Sequence, residues 1–236
     1  MSSRALRIAI VGAALMFACV AYTWAMLPDT RLLRAQNPPV TAFMRMRADE
    51  ARRAGKTARV LWRWVPYRRM SPALVRAVLV SEDARFWQHD GLDIEELKIA
   101  METSWTRGTS MRGASTITQQ LAKNLYLSPT RNPYRKLTEL FITRRLEAEL
   151  SKTRILEIYL NVVEWGDEVW GADAAARTYF GVGALDLSRE QAALLAASLI
   201  NPRVYSPGHP NVRLLRRQQT VLSRMGDVTP PASAVD

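Results

Sequence analysis

The sequence predicts a mainly α protein, a helical domain preceded by one N-terminal transmembrane helix. Three observations carry this. Ile8 to Leu27 is an almost unbroken apolar run. From Ser71 onward, apolar residues recur at helical spacing between cap residues. No stretch of useful length alternates apolar and polar with the period of two that a half-buried strand needs. Neither internal repeats nor heptads occur.

Residues 1–7 form a short N-terminal segment and 8–27 the anchor. Twenty helical residues rise about 30 Å, the thickness of a bilayer's hydrocarbon core. Tyr22 and Trp24 near one end suit the membrane interface. A cleaved signal peptide needs a shorter apolar core and a small-x-small cleavage site, and a lipoprotein signal ending at Cys19 fits Met16-Phe17-Ala18 poorly. Charge leaves topology open, because Arg4 and Arg7 on one side balance Arg31 and Arg34 on the other. Residues 28–59 read as a linker or stalk: Pro28, Pro38 and Pro39 break structure, and Thr41 to Arg53 is a charged helix. Trp62, Trp64 and Tyr67 lie among Arg63, Arg68 and Arg69, which suits either a membrane interface or a segment covering the core.

The helical domain spans 60–225. Ser71-Pro72 places an N-cap before proline at the first helical position, and an apolar stripe then runs to Glu82. Asp93 with Glu96 resembles a capping box opening a helix to about Ser104. Thr106 to Arg112 reads as a mobile polar loop. Asn132-Pro133 caps a helix carrying Leu137, Leu140, Phe141, Leu146 and Leu150, and Ser151 caps the next. Ser188-Arg-Glu-Gln191 is a further capping box, before Ala192 to Leu199. Residues 226–236 form a tail.

A chain of 236 residues, 48% hydrophobic, is long and apolar enough to bury a good core, which excludes a disordered chain. Its net charge of +11 favours an anionic partner: a phospholipid surface, a pyrophosphate or a nucleic acid. The single cysteine, Cys19, forms no intrachain disulfide, and two histidines without Cys/His pairs give zinc little to bind.

The densest chemistry lies in Gly113 to Asn124, which gathers Ser115, Thr116, Thr118, Gln119, Gln120, Lys123 and Asn124 within little more than three helical turns. So polar a stretch cannot all face a core, and it reads as a surface for a polar, partly anionic ligand. Before it come Glu82, Asp83, Phe86, His89 and Gly91; after it come Arg135, Lys136 and Glu139. Glu82 ends an apolar helix, where desolvation raises a carboxyl pKa toward the range of a general base. A helix-end carboxylate bonded to local backbone is its bland alternative. Glu139 is spaced for an ordinary i,i+4 salt bridge with Arg135, worth only a few tenths of a kcal/mol. Alternatively, Arg135 and Lys136, joined by Lys123 and Arg131, form a site whose repulsions an anionic ligand would relieve. Glu157 reads as a structural acid paired with an arginine, or as a ligand group. Glu168, flanked by Gly166 and Gly171, sits in a loop able to approach a ligand.

In chain order, Glu82-Asp-x-x-Phe86-x-x-His89-x-Gly91, Gly113-x-Ser-Thr-Ile-Thr-Gln-Gln-x-x-Lys-Asn124, Arg135-Lys-x-x-Glu139 and Lys152-x-x-Ile-Leu-Glu-x-Tyr-Leu-Asn161 resemble the glycosyltransferase domain that polymerises peptidoglycan, family 51 of the glycosyltransferases. The resemblance covers roughly residues 60 to 225, with weaker matches at Tyr179-Phe-Gly181, Asn201-Pro202 and Tyr205-Ser-Pro207. Val182 departs from the lysine that the family often carries, which bears on one phosphate contact. With neither Ser-x-x-Lys nor Lys-Thr-Gly, the chain is similar to the monofunctional, membrane-anchored form.

The resemblance implies a lysozyme-like helical domain with a small membrane-associated lobe. The substrate it implies is lipid II, polymerised with inversion into β-1,4 glycan strands. Glu82 is then the base and Glu139 the carboxylate supporting departure of the lipid pyrophosphate. Asp83, Phe86, His89, Ser115, Thr116, Gln119, Gln120, Lys123, Asn124, Arg131, Arg135, Lys136 and Glu168 become the substrate-binding set. No cofactor is obligatory, and Mg2+ or Mn2+ at Glu139 is the option. The implied partners are lipid II, the growing strand, membrane phospholipid and cell wall synthesis or division proteins, with no nucleic acid. The implied location is the inner membrane, single-pass, N-terminus inside and domain periplasmic. Two rivals remain: a lysozyme-like glycan-cleaving enzyme, against which the cations argue, and a non-catalytic membrane scaffold.

Overall fold

The computed structural model describes residues 3–108, 115–127, 133–226 and 228. Ten α-helices dominate these residues, with one small sheet. The first, α1 (Ser3–Ala25), is long and apolar enough to cross a membrane, and only Thr23 on it is buried. Its end docks on the domain. Thr23 Oγ1 donates to the Cys19 carbonyl at 2.7 Å and lies 3.4 Å from the Tyr134 hydroxyl. Trp24 meets Phe141 edge-on, and Arg145 lies over the Trp24 ring.

The segment expected as a linker or stalk packs onto the domain. Leu33 and Met44 are buried, and Arg154 donates to the Leu33 and Gln36 carbonyls. Its helix α2 (Ala42–Arg53) starts where the Thr41 hydroxyl accepts the Met44 amide.

Caps set most of the remaining helices. Ser71 opens α3 (Pro72–Glu82), and Asp93 opens α4 (Ile94–Arg107), which runs three residues past the expected end. Of the expected loop 106–112, Thr106 and Arg107 finish α4, Gly108 is left-handed, and the remainder lies outside the described residues. Thr116 opens α5 (Ile117–Tyr126) with a full capping box. Next is α6 (Pro133–Glu149); its expected cap Asn132 lies outside the described residues. Ser151 opens α7 (Lys152–Val162). At the start of α8 (Ala172–Phe180), Gly171 has φ +78°, and a Cβ there would sit 2.5 Å from the Asn161 carbonyl. The capping box at Ser188 opens α9 (Arg189–Ser198), and Asn211 caps α10 (Val212–Arg224).

The helices form two groups. Helix α5 packs against α2, α6 and α7, while α3 packs against α9 and α9 against α10. One continuous core joins them. The sheet was not anticipated. Strand β1 (Leu61–Trp62) runs parallel to β3 (Val169–Trp170), and β2 (Glu164–Gly166) pairs with β3 antiparallel, giving the order β1-β3-β2. Strands of two or three residues are too short to show alternation, so the sequence pattern could not reveal them. Buried Asn161 locks the 62–65 segment to α7: its side chain accepts from the Val65 amide and donates to the Val65 carbonyl, both at 2.9 Å.

Candidate active site

Glu82 is the last residue of α3, at the seam between the two helix groups. Its carboxylate is partly buried, and that burial pushes its pKa up. Two donors oppose the shift: Gln120 Nε2 reaches Oε2 at 3.0 Å and Ser81 Oγ reaches Oε1 at 3.3 Å. Arg217 and Lys123 add a weaker opposing pull. The Gln120 amide is itself oriented. Its Oε1 accepts from the Tyr159 hydroxyl at 3.0 Å, so Nε2 faces Glu82. Burial holds Tyr159 well above its ordinary pKa, keeping it a neutral donor.

Asp83, the neighbouring carboxylate, turns inward. Its Oδ2 accepts the Ile117 amide at the start of α5, and its Oδ1 lies 2.9 Å from His89 Nε2. The Gly91 amide donates to His89 Nδ1, which puts the imidazole proton on Nε2, facing Asp83. Asp93 approaches the same pair, but its Oδ1 accepts the Glu96 amide and Arg85 lies 3.5 Å from its Oδ2. Asp83 and His89 thus form a hydrogen-bonded brace with Asp93 engaged beside it, which leaves no free imidazole lone pair for a metal.

Several residues expected to bind substrate are engaged within the fold. Phe86 is fully buried and lies 4.5 Å from the Lys152 ammonium, so it presents no ring face to a sugar. His89 and Asp83 are the brace just described. The Thr116 hydroxyl donates to the Gly91 carbonyl at 2.7 Å and caps α5, while Gln119 completes the box. Thr118 is buried and donates to Glu147, which also holds Lys152. Asn124 is buried as well. The polar run is therefore divided. Thr116, Thr118, Gln119 and Asn124 point inward, and Ser115, Gln120 and Lys123 remain open to solvent to differing degrees. Buried hydroxyls and amides are tolerated because caps and cross-helix bonds satisfy them.

On α6, Glu139 is buried between two cations: Lys136 Nζ lies 2.5 Å from Oε1 and Arg135 Nη1 3.3 Å from Oε2. Lys123 faces this cluster from α5. Burial pushes its pKa down; Glu139, then Glu82, pull it back up, while Arg135 and Lys136 press it further down. Lys123 thus interacts with both expected carboxylates. Arg131 lies outside the described residues. Glu157 pairs with Arg154 at 2.6 Å, the structural alternative. Glu168 belongs elsewhere: it lines a separate cavity beside α2.

Glu82, Ser115 and Thr116 line a cavity of about 320 Å³, with Ser81 and Arg224 among its other walls. The sequence reading did not place Ser81, Tyr159, Arg217 or Arg224 in the site. Ser81 adjoins Glu82 and was the accessible clue. Tyr159 reads as one apolar position among many, and α10 lies 130 residues away in sequence. The arrangement offers a desolvated carboxylate on the cavity wall that can accept a proton, and a cluster of cations on α5 and α6 that can hold an anion.

A sequence profile described as Transglycosylase matches residues 51–226. The chain belongs to the transglycosylase family. It is 47% identical over 195 residues to the biosynthetic peptidoglycan transglycosylase of Nitrosospira multiformis, covering 83% of this chain and 85% of that one. Similarity to the Laribacter hongkongensis protein of the same description is 48%, over 83% of this chain and 86% of that one. The Chromobacterium violaceum protein, described likewise, is 44% identical over 93% of this chain and 96% of its own. The transglycosylase match takes in the end of α2 and every helix from α3 to α10, hence both walls of the Glu82 cavity and the Lys123–Glu139 cluster. The transglycosylase domain is the lysozyme-like helical fold expected.

Proposed function

We propose that this peptidoglycan glycosyltransferase, an enzyme of cell wall synthesis, joins lipid II units through the Glu82 cavity. The acceptor's sugar 4-hydroxyl attacks the donor's anomeric carbon and passes its proton to Glu82. The anomeric carbon–oxygen bond to the pyrophosphate breaks, and its electron pair leaves with undecaprenyl pyrophosphate. Attack opposite the leaving group inverts the α-linked donor to a β-1,4 link. Lys123, Arg135 and Lys136 neutralise the charge that develops on the pyrophosphate, and Glu139 holds the last two in place. Ser115 and Gln120 are the open polar groups left to contact substrate.

The observation that carries this reading is Glu82: it lines the cavity, burial pushes its carboxyl up, and Gln120, which holds it, lies three residues before Lys123 on the same helix. A base on the cavity wall, with cations further along α5 and on α6, suits an inverting displacement. The reading assigns no metal to Glu139. Both its oxygens already face cations, and Lys123 adds a third positive charge, an environment that opposes a dication.

The lipid carrier requires a cleft near the bilayer. Helix α1 supplies the anchor, and α4 exposes Ile94, Ile99, Met101 and Trp105, the last 91% exposed. These exposed apolar side chains suit the membrane-touching lobe, and the site then works at the outer face of the inner membrane with the N-terminus inside. Purified protein given lipid II tests the proposal: wild type should build glycan chains, and release of soluble fragments from preformed glycan would instead mark a hydrolase.

A further inference from the structure

We infer that α1 is a strut rather than a tether: clamped to α6, it seats Arg135 and Lys136 at the level of the lipid phosphates and so fixes the depth at which a membrane-embedded pyrophosphate is met. The substrate is that of the glycosyl-transfer reading, whereas the clamp stands without it. One stripe of α6 receives the end of α1. The Tyr134 hydroxyl lies 3.4 Å from Thr23 Oγ1, and Thr23 is the buried residue of α1. Phe141 meets Trp24 edge-on with ring centres 6.0 Å apart, and the Arg145 guanidinium lies 5.7 Å from the Trp24 ring centre. Positions 134, 141 and 145 have the seven- and four-residue spacing of one helix face. Glu139 is five residues on from Tyr134, about 140° around the helix, so α6 carries the anchor on one face and the cation cluster on another.

Three arginines then pin the chain that leaves the anchor. Arg145 Nη1 donates to the Leu27 and Pro28 carbonyls at 3.3 and 3.2 Å, just beyond the end of α1. A cation there also complements the negative end of the helix dipole. Arg34 Nε donates to the Glu149 carbonyl at 2.7 Å, and its Nη2 pairs with the Glu149 carboxylate. Arg154 donates to the Leu33 and Gln36 carbonyls and to Asn37 Oδ1 at 2.8–2.9 Å. Leu27, Thr30 and Leu33 are buried. Residues 28–40 lack the glycine and serine of a flexible linker. Beyond them α2 packs on α5, the helix of Lys123. The height follows from length. The 23 residues of α1 rise about 34 Å, enough to bring its end to the far interface of a bilayer, where Trp24 is at home. With Tyr134 against Thr23, α6 begins at that same level, and Arg135 and Lys136 follow directly. Lipid phosphates occupy this polar layer. Cations held there meet the pyrophosphate without drawing its carrier chain out of the hydrocarbon.

Spin labels on the native Cys19 and on Arg213→Cys, an exposed position of α10, read the clamp as a distance in the full-length protein in lipid nanodiscs. The intact junction should give one narrow distance distribution, and four glycines inserted between Leu27 and Pro28 should broaden it. Turnover is then measured on two substrates: lipid II in phospholipid vesicles and a water-soluble analogue of it with a short prenyl chain. The glycine insertion should slow the first at least tenfold and leave the second unchanged. Arg145→Gln keeps the chain length but loses the cation that holds Leu27 and Pro28, and should show the same split at several-fold. A broad distribution with the junction intact, or a split in neither variant, would overturn the strut. If the intact protein polymerises neither substrate, the glycosyl-transfer reading fails, and the distance measurement alone decides the clamp.

Discussion

Replacing Glu82 by Gln should abolish turnover while making the domain more stable at neutral pH. Gln keeps the size of Glu, and its carbonyl can still accept from Gln120 Nε2, now 3.0 Å from Oε2. Ser81 Oγ, which donates to either Glu82 or the Ala196 carbonyl, can accept from the new amide, so no polar group is orphaned. What is lost is the proton acceptor. General-base catalysis contributes roughly 10²–10⁴-fold, or about 2.7–5.4 kcal/mol at 1.36 kcal/mol per decade. The stability effect has the opposite sign. Burial raises the folded-state pKa of Glu82 above its ordinary 4.5, so the folded state binds more protons than the unfolded one across that window. Wild-type stability therefore falls as pH rises from about the ordinary carboxyl value through the folded one, and Gln removes that loss. Thermal melts at pH 4 and pH 8, run beside lipid II polymerisation assays, read both effects. The variant should match wild type more closely at pH 4 and exceed it at pH 8. Polymerisation above a tenth of the wild-type rate would refute Glu82 as base, and a lower melting temperature at pH 8 would refute the desolvation argument.

Gln120→Leu removes the principal hydrogen bond that lowers the Glu82 pKa, so the acidic limb of the pH–rate profile should move to higher pH; Tyr159→Phe, which only frees the Gln120 amide, should move it less in the same direction. Glu139→Gln leaves Arg135 and Lys136 without their shared carboxylate; kcat in the polymerisation assay should fall by roughly 10²-fold or more, and denaturant unfolding should show a loss of about 1–3 kcal/mol, below the full cost for a buried pair because Lys136 is half exposed. Gly91→Ala should lower the melting temperature by several degrees, since Gly91 has φ +83° and a Cβ would sit 2.7 Å from Thr143 Cγ2. Trp105→Ser with Ile94→Ser on α4 should reduce binding of the anchor-free domain to phospholipid vesicles several-fold while leaving its far-UV circular dichroism unchanged.

Helix caps were legible because each is a local event: Ser71, Ser151 and Ser188 name the first turn of their helices whatever lies around them. The direction in which a polar side chain points is a tertiary matter. Thr116 and Gln119 satisfy one another as a capping box, a pattern visible in the sequence, yet both were read as ligand groups because the motif as a whole read as a ligand surface. The internal contacts of Phe86 and His89 were hidden for a related reason. Their partners Lys152 and Gly91 are fixed by packing between α6, α7 and the turn after α3. The orientation of Gln120 by Tyr159 joins residues 39 apart, and no local pattern encodes it. The packing of 28–59 was hidden likewise, since prolines and charges give no sign that Leu33 and Met44 find a core.

Glu82 and Asp83 show how one helix end can give two adjacent carboxylates different work. The backbone leaves α3 at Asp83, whose φ of −165° turns successive side chains to different sides. Asp83 thereby reaches the N-terminus of α5, where the Ile117 amide and His89 satisfy it, and so fixes the end of α3 against the start of α5. Glu82 is left facing the cavity with two modest donors and a desolvation penalty that keeps it basic. Gln120 lies one turn into the same α5, so the joint that Asp83 makes also sets the 3.0 Å contact between Gln120 and Glu82. Lys123 follows three residues later and carries the same registration to Glu139 on α6. The spacing of base, amide and leaving-group cations therefore depends on one buried carboxylate that touches no substrate. On the proposed reading Asp83 is accordingly a positioning residue and its neighbour Glu82 the base.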